Sequence, residues 1–393
     1  MPQRFDIAVA GAGMVGACAA LALANTGFRV ALVEPAESEP KSKADDEAYD
    51  LRVSALSPTS QQILQQLGVW QGLDQNRICQ YEKMFIWHQY GHSRVEFDCV
   101  ELARESLGAI VENNQIVRAL QSVCDARTNI EWFRPDRIDS IEENSEKCLK
   151  LILASGTELE PDLLIAADGR GSSTRQLAGF DVIGGDYQQQ AIVANVNTEF
   201  DHQFTAWQRF LSTGPLAFLP LANGQSSIVW SCDNDFADDM MSLDDSGFCR
   251  ALGDAFEGQL GRVERISQRQ SFPLSWHSSE RWLNNRVLLL GDAAHGVHPL
   301  AGQGVNLGFS DVGLLAQKIG GLEDAWNSKK LRQFERQRKS ETALATHAFS
   351  ALKSIYGLDH PAINQLRDLG MQVVQNSPVV RRLLMKQAMR NMA

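Results

Sequence analysis

Gly11-Ala12-Gly13-Met14-Val15-Gly16 carries three glycines at GxGxxG spacing. Such a turn receives a pyrophosphate: Gly11 permits the tight bend, Gly13 lets backbone approach the phosphates, and Gly16 lets the next helix pack closely with its N-terminus facing the charge. Met14 and Val15 belong to the same phosphate-binding turn. Glu34 follows at the end of a second strand, where a carboxylate can bond both ribose hydroxyls. NAD and FAD present the same ribose and pyrophosphate, so this motif leaves the dinucleotide undecided. Two later segments bear on it. Leu163 to Gly169 is a buried strand ending in Asp168-Gly169, with Ser172 and Arg175 behind it. Arg286 to Leu290 ends in Gly291-Asp292-Ala293-Ala294-His295, and Pro299, Leu300, Gly302, Gly304, Val305 and Asn306 follow. Asp292, on a turn after a strand, can accept hydrogen bonds from the ribityl hydroxyls that a flavin has and NAD lacks; the alternative is a helix N-cap. Gly302 and Gly304 precede a helix predicted from near Val305, so their amides can face the flavin N1–C2=O edge, where negative charge appears on reduction.

Positioning these residues takes a βαβ opening: a strand over Phe5 to Ala10, an alanine-rich helix to about Asn25 and a strand over Arg29 to Glu34. Strand patterns return at Leu163 to Asp168 and Arg286 to Leu290, so the cofactor layer is visited three times. Leu56 to Trp70 and Gln115 to Ala126 have helical periodicity. Lys83 to Val100 and Gln189 to Cys232 alternate like strands and hold many aromatics. Pro35 to Asp50 is almost free of large apolar residues and reads as an exposed loop; from Asp311 onward the chain reads as helical. At 393 residues the chain exceeds one ordinary core.

Composition removes several classes. A net charge of −11 leaves no basic excess to neutralise phosphates, so no nucleic-acid partner is expected. The seven cysteines are scattered, odd in number and outside any CxxC pair, which argues against a disulfide framework or zinc cage and for a reducing cytoplasm. The strand pattern begins almost at the N-terminus, so no signal peptide is expected. No apolar run reaches the roughly 18 residues of a membrane span, which leaves peripheral contact only. His295 and His298 lack a third ligand at suitable spacing, so no metal is expected. Hydrolase signatures GxSxG and HExxH are absent.

Taken in order, the GxGxxG, DGxxSxxR and GDAAHxxxPLAGQGxNLG segments resemble the FAD-dependent aromatic hydroxylases of the para-hydroxybenzoate hydroxylase type. Arg52-Val53-Ser54-Ala55-Leu56-Ser57, Leu67-Gly68-Val69-Trp70, Val111-Glu112-Asn113 and Phe218-Leu219-Pro220-Leu221 resemble its ubiquinone-biosynthesis branch. The resemblance implies an α/β fold: a discontinuous Rossmann-like FAD-binding domain (GR2-type) over 1–72, 104–182 and 277–345, an inserted β-sheet substrate domain over 73–103 and 183–276, and a helical C-terminal region over 346–393. It implies tightly bound, non-covalent FAD, with NADPH or NADH as transient reductant and O2 as co-substrate. The activity implied is hydroxylation of a polyprenylated phenol or quinol through a flavin C4a-hydroperoxide. Arg52 matches the family's cofactor-side arginine, the alternative being an ion pair with Asp50. Asn113 matches an amide against the ribityl or pyrophosphate region, and Asp168 and Gly169 match a pair that touches FAD. Arg175 is expected to hold that turn through a carboxylate, in a functional or a purely structural salt bridge.

No side chain is expected to act as a catalytic acid or base, because the flavin carries the hard step. The protein must position the ring and exclude water. Candidates for the pocket are His295, Pro299, Leu300, Phe218 and Trp230, with Phe210 and Pro220 beside them. Val379 to Arg390 is basic and partly amphipathic; it reads either as a helix meeting an anionic bilayer or a partner of the biosynthetic assembly, or as a helix packed on the protein. Homo-oligomers occur in the family. Competing readings are a non-catalytic FAD-binding scaffold and another flavin monooxygenase or epoxidase on the same fold.

Overall fold

The computed structural model describes residues 2–37, 48–91, 93–145, 148–296, 304–321, 325–357 and 360–390. Its first sheet grows around the predicted βαβ unit: β1 (Gln3–Ala10), α1 (Met14–Asn25) and β2 (Val30–Val33). β1 pairs in parallel with β2 and with Glu158–Ala166; β2 pairs with Ile130–Phe133, and Glu158–Ala166 with Val287–Leu289. Both faces of this sheet are covered, which is why β2 and most of β1 are unbroken apolar runs. Cys148–Leu153 and Ile138–Ser145 extend it as an antiparallel hairpin. Every residue of α1 from Gly16 to Ala24 is buried, and its alanines allow close packing against helices Asn113–Asp125 and Gly304–Ile319.

The second sheet has nine strands. Its order runs His295–Gly296, Gln270–Ser279, Val182–Thr198, Ser226–Asp233, Gly214–Pro220, Thr205–Leu211, Lys83–His88 and Arg94–Asp98, with Val263–Ile266 paired to Val182–Thr198. Antiparallel pairing dominates, apart from a parallel pair between Thr205–Leu211 and Lys83–His88. Two helices that alternation did not predict, Asn234–Ser242 and Asp245–Ala255, lie within this region. Their signal was local: Asp244 accepts a hydrogen bond from Gly247 N at 2.7 Å, a carboxylate N-cap. A third, small sheet joins Val53–Leu56, Gly108–Glu112 and Cys79–Tyr81.

Helices Ser328–Gly357, Pro361–Asn376 and Pro378–Arg390 complete the chain. Asp368 fastens the second of these to the nine-stranded sheet, accepting from Ser93 N at 3.0 Å and standing 3.2 Å from His88 Nε2. The last helix is packed on the protein through Met385, buried among Tyr49, Ala55, Tyr81 and Leu219, and through an Arg381–Glu101 ion pair at 2.8 Å. Among the described residues no helix is long and apolar enough to cross a membrane.

Candidate dinucleotide site

Three strands of the parallel sheet end side by side, and the turns that follow them form one site. Gly11 N donates to Val33 O (2.8 Å), Ala167 N to Ala10 O (2.9 Å) and Leu290 N to Ala166 O (2.9 Å). Gly11 has φ +91°, and a Cβ there would lie 2.7 Å from Ala167 O. A Cβ on Gly16 would lie 1.9 Å from Gly11 O, so the turn and helix can close only around hydrogen atoms. Val15 then acts as a wedge. A Cβ on Gly308 would meet Val15 Cγ2 at 2.4 Å, and one on Gly291 would meet Val15 at 3.1 Å. The start of α1, the Asp292 turn and helix Gly304–Ile319 are thus fitted to one side chain, a role that the GxGxxG pattern does not reveal.

Gly13 differs from its neighbours: a Cβ there would meet nothing within 4 Å, and the same holds for Gly169 and Gly304. Gly13 caps α1 without a side-chain hydrogen bond, and no acid stands in the first turn. The first amides of α1, including those of Met14 and Val15, therefore have no intrahelical partner and face a region open to an anion. Glu34 is held beside them, its Oε2 accepting from Ala12 N at 2.6 Å and Oε1 from Ala36 N at 3.0 Å.

The second turn is braced from within. Asp168 accepts from Ser172 Oγ and, at 3.0 Å, from Thr174 N, so its carboxylate serves the short helix Ser173–Leu177. Gly169 follows with φ +81°. The expected carboxylate partner of Arg175 is corrected: its guanidinium donates to Ala293 O at 2.9 Å and Arg170 O at 2.8 Å, tying the second turn to the third through backbone carbonyls. Burial holds this guanidinium below the usual arginine range, against the opposing charge of Asp168.

In the third turn the Asp292 carboxylate is exposed, and no hydrogen bond joins it to a described residue. The helix-cap alternative is not what the structure adopts. Its carbonyl accepts from His277 Nε2 at 2.8 Å. His295, a pocket candidate only if the pocket opens there, is a packed and hydrogen-bonded residue of the core: Nε2 stands 2.8 Å from Asp311 Oδ2, and the ring stacks on Trp282 at 4.8 Å. Asp311 also accepts from Gly291 N (3.0 Å) and Arg338 Nε (2.6 Å). Burial alone would raise the Asp311 carboxyl; His295 and Arg338 outweigh it and hold the group below the usual carboxylate range. This buried cluster anchors the third turn to the helices behind it, and no spacing along the chain pairs its members.

Asn306 and Asn113 also differ from expectation. Asn306 is buried with its amide committed to protein, accepting from Ser57 N (2.9 Å) and Ser60 Oγ (2.7 Å) and donating to Ala55 O (2.8 Å). Asn113 Oδ1 accepts from Ser54 Oγ at 2.7 Å. Two residues on, Gln115 is buried with neither amide atom hydrogen-bonded to a described residue. A buried amide normally finds partners, so this one has hydrogen-bonding capacity left for a ligand, and sequence reasoning did not single it out. Val305 is partly buried against the core. Arg52 is exposed, with its guanidinium 5.9 Å from the Phe272 ring. Pro299, Leu300 and Gly302 lie outside the described residues, as does His298.

Two proposed pocket aromatics sit on the far face of the nine-stranded sheet. Phe218 pairs with Ile228, and Trp230 with Leu216 and Ile192, and all of these point at helices Asn234–Ser242 and Asp245–Ala255. Phe218 stacks on Phe256 at 3.9 Å, and Trp230 meets Phe236 and Phe248 edge-on. Pro220 shares their parity, whereas Phe210 shares the parity of Ala206 on the opposite face. That opposite face carries Ala217, Val229 and Val193 in one cross-strand row, and Ala191 opposite Phe272. It packs towards Tyr49, Ala55 and Ile110, and Asn195 donates from it to Tyr49 O at 3.0 Å.

Unfilled space at Gly13, an uncapped helix start, an acid beside it and a buried amide with open valences suit a dinucleotide with a polar linker. Residues 4–347 match the family model described as FAD binding domain, which makes the chain a flavoprotein of that class. It is 32% identical to the mitochondrial ubiquinone biosynthesis monooxygenase COQ6 of Danio rerio, over 98% of this chain and 89% of that one. It is 31% identical to the 3-demethoxyubiquinol 3-hydroxylase of Escherichia coli, over 98% and 99%. The chain belongs to the family of FAD-dependent ubiquinone-biosynthesis monooxygenases. Its fold is shared with p-nitrophenol 4-monooxygenase PnpA from Pseudomonas putida (TM-score 0.81, 18% identity, 100% and 99% covered) and with PqsL, a probable FAD-dependent monooxygenase from Pseudomonas aeruginosa (0.78, 21%, 94% and 100%).

Proposed function

We propose that this enzyme hydroxylates the ring of a polyprenylated phenol or quinol in ubiquinone biosynthesis, consuming O2 and taking its electrons from NADPH or NADH. The observation that carries the reading is the meeting of three turns, Gly11 to Gly16, Asp168-Gly169 and Gly291 to Ala293, at one end of the parallel sheet in a chain of this family. The open amides of α1 would take the pyrophosphate, Glu34 the adenosine ribose, and Asp292 with Gln115 the ribityl hydroxyls. Gly304, and Gly302 before it, would supply amides to the flavin ring edge. Bound there, FAD supplies the redox and oxygen-activating chemistry. The protein's share is to place the ring and keep water out. The apolar row Ala217, Val229 and Val193, with Phe272 beside it, would form the ring's cover, and Arg52, over Phe272, would stand at its mouth as a fixed cation. No second nucleotide fingerprint occurs, so the nicotinamide would dock transiently.

The test is an absorption spectrum of the purified protein, then anaerobic NADPH addition with and without a polyprenylphenol, then admission of O2. The reading expects flavin bands that bleach faster with the phenol and a product heavier by one oxygen atom. A colourless protein that takes up no FAD would overturn it, as would NADPH oxidation that leaves the phenol unchanged.

A further inference from the structure

Helices Pro361–Asn376 and Pro378–Arg390 are apolar on two sides. Their inward sides are satisfied by Met371 and Met385, 6% and 5% exposed. Yet Leu366, Leu369 and Val373 stand 66%, 57% and 54% exposed at i, i+3 and i+7, a single helical face. Val379 and Leu383, at i and i+4 of the last helix, are 75% and 65% exposed, and Arg382 and Lys386 are exposed on that same face. Val100, in the turn against which the last helix packs, is 75% exposed. The stretch 361–390 holds one acid, Asp368, which is turned onto Ser93 and His88. Arg381 is paired with Glu101, and among the described side chains of the last helix Arg382 and Lys386 are the exposed cations.

We propose that this face docks the enzyme onto a lipid bilayer containing anionic lipid, the leucines and valines entering the headgroup boundary and Arg382 and Lys386 meeting lipid charge. An exposed apolar stripe flanked by cations is the pattern of an interfacial helix. A second copy of this chain is a poorer occupant, because two-fold pairing would bring two such cationic faces together with no exposed acid from 361–390 to offset the repulsion. In a chain of net charge −11, a stretch with a single acid and exposed cations is the part suited to approach an anionic bilayer. Met385 links the face to Ala217 and Leu219 on the ring-covering side of the nine-stranded sheet. A tail embedded in lipid would therefore lie next to the site; that consequence rests on the proposed hydroxylase reading, whereas the docking does not.

The test uses full-length, FAD-loaded protein sedimented with phosphatidylcholine vesicles, with and without phosphatidylglycerol. Binding is expected only with phosphatidylglycerol, falling by about tenfold or more in Leu369→Glu/Leu383→Glu and in Arg382→Glu/Lys386→Glu. Turnover of a short-tailed, water-soluble phenol should be unchanged in both variants. Should the leucine variant melt early, the charge-reversal variant carries the test. Equal sedimentation with and without vesicles, or unchanged vesicle binding in the variants, overturns docking. So does a wild-type dimer in ultracentrifugation that the leucine variant loses without any vesicle binding. Vesicle binding by an enzyme that oxidises no phenol would support docking while removing the hydroxylase reading.

Discussion

The parallel sheet and the nine-stranded sheet build their shares of the site by opposite means. At the end of the parallel sheet the site is shaped by where side chains are missing: Gly11, Gly16 and Gly308 admit backbone or Val15 at distances no Cβ would allow, and Gly291 leaves Val15 just enough room. In the nine-stranded sheet, proposed to cover the ring, what matters is which way side chains point, because one face is packed under two helices and the other packs towards Tyr49, Ala55 and Ile110. The first arrangement tolerates almost no substitution. The second tolerates substitution on both faces, but with different consequences on each.

The sharpest way to break this comparison is at Gly16. Gly16→Ala places a methyl 1.9 Å from Gly11 O, so the turn must open, at a cost of about 4 kcal/mol or more. Loss of bound flavin together with a large fall in Tm is the expected outcome. Gly13→Ala, whose Cβ meets nothing, should keep the fold and weaken FAD binding alone. Equal melting temperatures for the two variants would erase the distinction. Next comes the buried cluster behind the third turn. Arg338→Met takes from Asp311 its guanidinium partner in the core, and breaking such a pair costs about 3–5 kcal/mol. Because the Asp311 carboxyl is held below its ordinary value of 3.8, its contribution is complete above that pH and is lost as pH falls through the lower folded value. Acid melting of Arg338→Met should show a weaker limb, since His295 still faces the carboxylate.

These two regions were unequally legible in the sequence for the same reason. Glycines and the strand-turn-helix order announce a backbone shape directly, so the GxGxxG turn, Glu34, the Asp168-Gly169 turn and the Asp292 turn could be located from residue types. Direction could not be. Phe218 and Trp230 were natural choices for an aromatic wall, but a one-residue change of register exchanges the faces of a strand, and the register is set by pairings across the sheet. The same limit explains Asn113 and Gln115, two amides one turn apart at most, of which the buried and unpaired one is the second. Asp311, Arg338 and His295 were each visible, but their meeting depends on how three elements pack.

A matched pair of substitutions sharpens the contrast within the nine-stranded sheet. Phe218→Ala removes a fully buried ring stacked on Phe256 and should cost about 3 kcal/mol or more of stability with KM for the phenol unchanged. Phe272→Ala, on the other face and 37% exposed, should leave Tm nearly unchanged and raise KM several-fold. Steady-state kinetics and thermal melts on both variants check this. If Phe218→Ala shifted KM and Phe272→Ala did not, the assignment of faces would be reversed.

The smallest effect concerns the seam between the two regions. His277 belongs to the nine-stranded sheet, yet its Nε2–H reaches Asp292 O in the third turn of the other. Burial lowers its imidazole below the ordinary value of 6.5, Arg170 and Arg175 lower it further, and the Asp292 carbonyl opposes them. A histidine depressed in the folded state takes up its proton later than in the unfolded chain, so stability is full above 6.5 and declines as pH falls from there towards the folded value. The hydrogen bond itself survives protonation, since Nε2 is already the donor; the loss comes first from burying a positive charge and then from the two arginines near it. His277→Gln keeps a donor without the charge. Between about pH 7.5 and about pH 5.5 its Tm should fall less than that of the wild type. Parallel curves for the two proteins would mean that the seam carries no titrating group and that the two regions respond to acid independently.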